Sequence, residues 1–160
     1  MSKVILICGK ICSGKSTYAN KLRVQEKAVL LSCDDITLAL FDQNLGTDHD
    51  PIVERTKNYL FNKSLEIIEV GVSVILDWGF WTKKERDFAK QFYKSRDIAC
   101  ELHYVHINNK AWKANLSKRN HAISEVNLKA YYIDDNLAEK FLSIFELPEK
   151  REIDVCFKNN

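Results

Sequence analysis

The sequence predicts an α/β fold: a parallel sheet covered by helices on both faces, which makes three layers. Three observations carry that expectation. Short apolar runs alternate with longer amphipathic stretches along the whole chain, the order that builds βαβ units. The first and third of these runs lack any inside–outside alternation, as strands buried on both faces do. A glycine-bounded loop then joins the first run directly to a helix, in the stretch "VILICGKICSGKSTYANKL" (residues 4–22).

Taken in order, "KVILIC" (3–8) reads as a buried strand and "KSTYANKLRVQE" (15–26) as a helix. "AVLLS" (28–32) is a second buried strand, with a short helix over 36–42 and a polar loop at 43–49. Asp50 as cap and Pro51 at the first helical position open a helix that Gly71 ends. "VSVILD" (72–77) is a third buried strand, and the aromatic turn "WGFW" (78–81) follows it. Thr82 and Glu85 form a capping box for the next helix. "ACELHYVHI" (99–107) is a fourth strand and "KAWKANLSKRN" (110–120) a helix. A polar break near "HAIS" precedes a long helix through about Phe145, and "REIDVCF" (151–157) is a last strand.

The chain has 160 residues, enough for one domain, and we read 1–160 as that domain. Its 24 Lys and Arg stand against 22 Asp and Glu, a balance that argues against long nucleic acid as a partner. Five cysteines without a Cys-x-x-Cys pair read as reduced thiols in a cytoplasmic protein. His103 and His106 alternate on a strand with no ligand spacing beside them, and read as core or rim residues. No apolar run is long enough to span a bilayer.

Gly9-Lys10-Ile11-Cys12-Ser13-Gly14-Lys15-Ser16 matches the Walker A pattern, followed by Thr17. Its glycines allow a tight turn whose N–H groups hold phosphate oxygens, while the next helix points its positive end at the same anion. Lys15 reaches the β- and γ-phosphates and the Ser16 hydroxyl ligates Mg²⁺. A guanine-reading Asn-Lys-x-Asp is absent, "NKAW" (109–112) being the nearest approach. "ILDW" lacks the Asp-Glu that ends a motor ATPase strand. Both point to a kinase.

Ligands in such sheets bind beyond the carboxyl ends of the strands, where this loop should meet Cys33-Asp34-Asp35 and Asp77-Trp78-Gly79. Asp34 is placed to take the proton of an acceptor hydroxyl. Asp35 faces Mg²⁺ waters or caps the next helix. Asp77 bonds the acceptor or a Mg²⁺ water. Trp78 and Trp81 either stack on a ringed acceptor or plug the core. Arg119 closes over the phosphates as part of a lid at about 119–127, or serves as a cation at a helix C-terminus. Arg86 reaches the cleft or makes a surface salt bridge.

Through "GKICSGKST", "SCDDI", "LDWGFWTKKERD", "NLSKRN" and "FELPEKREIDV" the chain resembles the small P-loop kinases. That group includes polynucleotide kinase, chloramphenicol phosphotransferase, gluconate kinase and zeta toxin. The Asp-x-Gly-Phe-Trp turn and the late Phe-Glu-x-Pro are similar to those of AAA-domain ATP-binding proteins. The resemblance implies the P-loop NTPase fold with strand order 2-3-1-4-5, ATP and Mg²⁺, and transfer to a hydroxyl. It implies nucleotide contacts from Gly9, Ile11, Cys12, Ser13, Gly14, Lys15, Ser16, Thr17 and Arg119. Lys15, Asp34 and Arg119 are the expected catalytic set, and Ser16 and Asp34 the metal set. Asp35, Thr37, Asp77, Trp78 and Trp81 are the acceptor side. The chain departs from phage-type polynucleotide kinases at Thr37, where those carry a phosphate-gripping arginine, and in "HAISEV", which offers no second lid arginine.

The expected function is therefore ATP- and Mg²⁺-dependent phosphorylation of a small neutral or cationic ringed alcohol, antibiotic-like or sugar-like. Asp34, Asp35, Asp77 and, with them, Asp48 and Asp50 form the acidic wall. A polynucleotide or nucleoside 5′-hydroxyl kinase and a non-catalytic nucleotide-binding regulator are the alternatives, so a nucleic-acid acceptor stays open but is not favoured. No membrane partner is expected, and the assembly is a monomer or homodimer.

Overall fold

The apolar run Val4–Cys8 forms β1, and all five of its side chains are fully buried. A strand can bury every residue only if both faces of its sheet are covered, and alternate residues divide between them. Val4, Leu6 and Cys8 pack on one face with Phe61, Ala89 and Tyr93, while Ile5 and Ile7 pack on the other with Ala19 and Leu22.

The computed structural model describes residues 1–41, 45–126 and 133–160. After β1 come α1 (Lys15–Gln25), β2 (Val29–Ser32), α2 (Cys33–Leu40), α3 (His49–Glu69) and β3 (Val74–Gly79). They are followed by α4 (Lys83–Lys94), β4 (Cys100–His106), α5 (Asn109–Val126), α6 (Asp135–Ile144) and β5 (Val155–Lys158). The five strands pair in parallel in the order β2-β3-β1-β4-β5. This is the P-loop NTPase arrangement expected from the resemblance. A third apolar cluster of Ile107, Trp112, Ile133 and Ala138 packs against Ile11 and Cys12 of the loop after β1. No helix among the described residues is long and apolar enough to cross a membrane.

Several boundaries differ from the sequence reading. β2 lies at the sheet edge and is only half buried, so its apolar run marks one covered face rather than two. α2 begins at Cys33 rather than 36, because the Ser32 hydroxyl accepts the Asp35 N–H and caps it. α3 opens at His49 after Asp48, ahead of the Asp50–Pro51 start expected. α5 runs without interruption through the predicted break at "HAIS", so lid positions 119–126 are helical, and position 127 lies outside the described residues. Ile133 and Asp134 are not helical, and Asp134 caps α6 through the Leu137 N–H. The last strand starts at Val155, after a 3-10 turn at Lys150–Glu152. The Thr82–Glu85 capping box forms as read. All five cysteines are free; Cys8 and Cys33 are buried, whereas Cys156 is exposed.

Arg86 takes neither of the roles expected of it. It is 1% exposed, and its Nε donates to Glu152 Oε1 at 3.0 Å. Its Nη1 donates to the carbonyls of Phe80, Trp81 and Glu146 at 3.1, 3.3 and 2.9 Å. One guanidinium thus fastens the turn after β3 to the segment before β5. Burial alone would raise the Glu152 pKa. The bond from Arg86 and the Glu149 N–H outweigh it and hold the carboxyl below its ordinary 4.5. Replacing Arg86 by Ala strands a buried carboxylate and three carbonyls, and should cost about 3–5 kcal/mol in a urea unfolding curve. The Glu152 contribution is present in full above pH 4.5. It is lost as pH falls through the lower folded value, because the unfolded chain takes up the proton first. The Arg86→Ala protein should therefore show a flatter acid limb.

Candidate active site

The loop between β1 and α1 turns on two left-handed residues, Cys12 (φ 57°) and Gly14 (φ 91°). A Cβ on Gly9 would lie 2.7 Å from Ser13 Oγ and 2.9 Å from the Val105 carbonyl, so only glycine fits there. α1 starts at Lys15 with no side-chain cap, and its first N–H groups are available to an anion.

What holds the loop open is visible from its carbonyls. Trp81 Nε1 donates to Gly9 O at 3.1 Å and Trp112 Nε1 to Ile11 O at 2.7 Å. Asn115 Nδ2 donates to Cys12 O at 3.2 Å and Asn159 Nδ2 to Ser13 O at 2.9 Å. Lys10 O accepts from Lys15 Nζ at 2.8 Å and from the Ser13 N–H. With five consecutive carbonyls engaged, the loop N–H groups other than those of Gly9 and Ser13 are the ones a nest would offer to an anion. Trp112, Asn115 and Asn159 were not among the expected site residues. Residues 112, 115 and 119 share one face of a helix at i, i+3, i+7, a spacing legible in the sequence once Arg119 is singled out.

The carboxylates follow the sheet order. β3 adjoins β1, whereas β2 lies one strand farther out. Asp77, two residues before the end of β3, is consequently the acid that meets the loop: Ser16 Oγ donates to Asp77 Oδ2 at 3.0 Å. The sequence reading pairs Ser16 with Asp34 for the metal and gives Asp77 a Mg²⁺ water or the acceptor; the hydrogen bond from Ser16 goes to Asp77, while Asp34 acts on the loop through its charge on Lys15. The register supports the placement. Leu6 and Cys8, two apart in β1, pair with Leu76 and Gly79, three apart in β3, so an extra residue bulges β3 beside Asp77.

Asp77 is 7% exposed, and burial raises its pKa; Lys15 and the Ser16 bond oppose that rise, while Asp34 and Asp35 add to it. Asp34, in the first turn of α2, opens to solvent but is walled by protein on its other sides. This desolvation raises its pKa too, against the pull of Arg119 first and Lys15 second. Burial lowers the Lys15 pKa, and Asp77 is the main charge resisting that shift, with Asp34 contributing less. Lys15 thus feels both carboxylates, Asp77 the more strongly. Arg119 Nη1 lies 3.9 Å from Cys12 Sγ, which places the guanidinium at the loop.

The remaining expected residues divide. Asp35 is exposed at the start of α2, and Thr17 is exposed in the first turn of α1. Ser13 is fully buried under the loop. Thr37 is also fully buried, its hydroxyl donating to the Asp34 carbonyl at 3.2 Å. Trp78 packs edge-on against Phe61 and stacks on Phe80; Trp81 bonds the loop and packs on Phe141. Both tryptophans are nonetheless only partly buried. His103 is buried between Tyr18 Oη at 2.9 Å and Glu101 at 3.1 Å, as a core histidine.

For Mg²⁺, the adjoining oxygens are Ser16 Oγ and the Asp77 carboxylate. That donor set suits a hard cation that keeps waters and phosphate oxygens as its other ligands.

A family model described as an AAA domain matches residues 4–136. No curated protein matches the chain. Among solved structures the chain is similar to an unliganded sugar kinase from Janibacter sp. HTCC2649, with 15% identity, TM-score 0.67, and 99% of this chain and 86% of that one covered. It is similar to the Mycobacterium tuberculosis APS kinase CysC bound to AMPPNP and APS, with 15% identity, TM-score 0.67, and 99% and 89% covered. It is also similar to Chaetomium thermophilum Kti12 with ADP-AlF3, with 17% identity, TM-score 0.67, and 98% and 88% covered. At these identities the likeness establishes the fold.

Burial of the Asp77 charge costs stability. Its folded pKa lies above the ordinary 3.8, so stability is greatest below that value and declines as pH rises through the folded one. Asp77→Asn keeps an oxygen for Ser16 and removes the charge. It should stabilise the nucleotide-free protein by on the order of 1 kcal/mol, a shift of roughly 2–4 °C in thermal midpoint at neutral pH. The Mg²⁺ dependence of nucleotide binding should be lost in the same variant, as titration calorimetry with and without Mg²⁺ would read.

Proposed function

The chain belongs to the AAA-domain family, and on that footing we propose that it is an ATP- and Mg²⁺-dependent kinase whose acceptor is a hydroxyl group on a small neutral or cationic molecule. The observation that supports the reading is that Arg119 and Lys15, both of which contact the phosphate loop, are the cations acting most strongly on the Asp34 carboxylate.

ATP would lie with its β- and γ-phosphates in the loop, against Lys15 and the first turn of α1. Ser16 and Asp77 would hold Mg²⁺, which supplies charge neutralisation at the β- and γ-phosphates. An acceptor hydroxyl entering beside α2 gives its proton to Asp34 as its oxygen bonds the γ-phosphorus. The bond from that phosphorus to the β–γ bridging oxygen breaks, and ADP leaves. A carboxylate with a raised pKa is a better proton acceptor than an ordinary one, provided it is ionised. Transfer should therefore rise with pH through a value above the ordinary 3.8 of aspartate.

The acidic wall of Asp34, Asp35, Asp48 and Asp50 would repel an acceptor that already bears phosphate. The requirement for a ring rested on Trp78 and Trp81. Both also pack within the protein, so the proposal asks for a hydroxyl and no negative charge and leaves a ring optional.

A panel of hexoses, amino sugars, amino alcohols, nucleosides and 5′-hydroxyl oligonucleotides with radiolabelled ATP tests this. Phosphate should appear on an uncharged or cationic small alcohol. Asp34→Asn should lower transfer by roughly 10²–10⁴-fold while leaving ADP affinity within about threefold. Transfer to oligonucleotides alone would favour the polynucleotide alternative. ATP hydrolysis unaffected by Asp34→Asn, with no acceptor found, would favour a nucleotide-binding regulator.

A further inference from the structure

Three side chains on one stripe of α5 address two consecutive residues of the phosphate loop. Trp112 Nε1 donates to Ile11 O at 2.7 Å, Asn115 Nδ2 donates to Cys12 O at 3.2 Å, and Arg119 Nη1 lies 3.9 Å from Cys12 Sγ. The intervals of three and four residues keep all three on the same helix face. Trp112 is 7% exposed and seated in the cluster with Ile107, Ile133 and Ala138, against which Ile11 and Cys12 themselves pack. The indole therefore has little freedom to move without the loop. Lys10 adds a second grip, its ammonium 4.9 Å from the Trp112 ring centroid.

We propose that Trp112 and Asn115 are positioning residues: by gripping the outer edge of the phosphate loop they fix the register of α5 and so set where Arg119 meets the terminal phosphate. The inference rests on the kinase reading of the proposed function, with Arg119 closing over the phosphates as the sequence leads one to expect. It adds residues to which that reading gives no role. A helix is stiff over the two turns from 112 to 119, so its hydrogen bonds to the loop fix the height and rotation of the arginine. Guanidinium contact with phosphate is a short, directional, charge-assisted interaction, and small misplacements weaken it.

The test is equilibrium binding of ADP and of AMPPNP, each with Mg²⁺, to the full chain and to Trp112→Phe, Asn115→Ala, Arg119→Ala and the Trp112→Phe/Arg119→Ala pair. Phenylalanine keeps the ring in the apolar cluster and removes only the indole donor. Asn115→Ala provides an independent variant at a half-buried position should the first one fail to fold. Arg119→Ala should weaken AMPPNP roughly tenfold and ADP less than about twofold, as expected for one lost charge-assisted contact to the terminal phosphate. Trp112→Phe and Asn115→Ala should each lower the AMPPNP preference about three- to tenfold in the same direction, and the double variant should fall no further than Arg119→Ala.

Equal losses for the two nucleotides would make these residues braces of the loop alone and overturn the proposal. Unchanged affinities, additive losses in the double variant, or an Arg119→Ala protein that still prefers AMPPNP as wild type does would also overturn it. Binding is read without turnover. A wild-type protein that phosphorylates no alcohol would defeat the kinase reading, whereas only the nucleotide preference bears on Trp112 and Asn115.

Discussion

The site depends on a constraint of the peptide group itself. A loop that turns its N–H groups toward an anion must turn its carbonyls the other way, and each buried carbonyl left without a donor costs on the order of 1–3 kcal/mol. In this chain the donors come from far apart in sequence. Trp81 follows β3, Lys15 opens α1, Trp112 and Asn115 lie on α5, and Asn159 follows β5. The loop is therefore the point at which the distant elements of the domain are tied to one another. Its shape is held by the fold as a whole rather than by the eight residues that spell it.

The charges obey the same economy. Lys15 and Asp77 are desolvated and Asp34 is partly so on its protein-facing side, and in each case burial is the largest influence on the pKa, pushing toward the neutral form. Their mutual attraction recovers part of that cost. Nucleotide and metal would recover more, because bringing in opposite charge relieves the desolvated ions. Arg86 and Glu152 show the contrasting case, a buried pair whose hydrogen bonds are satisfied within the protein. Such a pair needs no ligand, and its part is to hold the Phe80–Trp81 turn in place for the indole bond to Gly9.

The fold and the loop were legible because their signals are local. Unbroken apolar runs identify β1 and β3, the glycine spacing identifies the nest, and the rule that ligands gather at strand tips brings Asp34 and Asp77 together. What was not legible depends on neighbours in space. Which aspartate meets Ser16 follows from β3 adjoining β1, and nothing in the local sequence around Asp34 or Asp77 encodes it. Thr37 sits three residues past Asp34 on α2, and whether it faces cleft or core turns on a helix start set by Ser32. Arg86 looked like surface because arginine normally is, and only the return of residues 146–152 buries it.

The tryptophans carry the last step of this reasoning. In isolation an aromatic turn beside a polar cleft suggests a stacking surface, but an indole differs from a phenyl ring chiefly in its one donor. At positions 81 and 112 that donor is spent on alternate carbonyls of the same loop, Gly9 and Ile11. Phe80, which has no donor to offer, is turned into the core at 1% exposure with a left-handed backbone (φ 44°). That inversion of Phe80, together with Gly79 at φ 89°, brings Trp81 round beneath the loop. A Cβ on Gly79 would collide with the Trp81 ring. The Gly-Phe-Trp order is thus explained by backbone geometry and one hydrogen bond, with no acceptor needed to account for it.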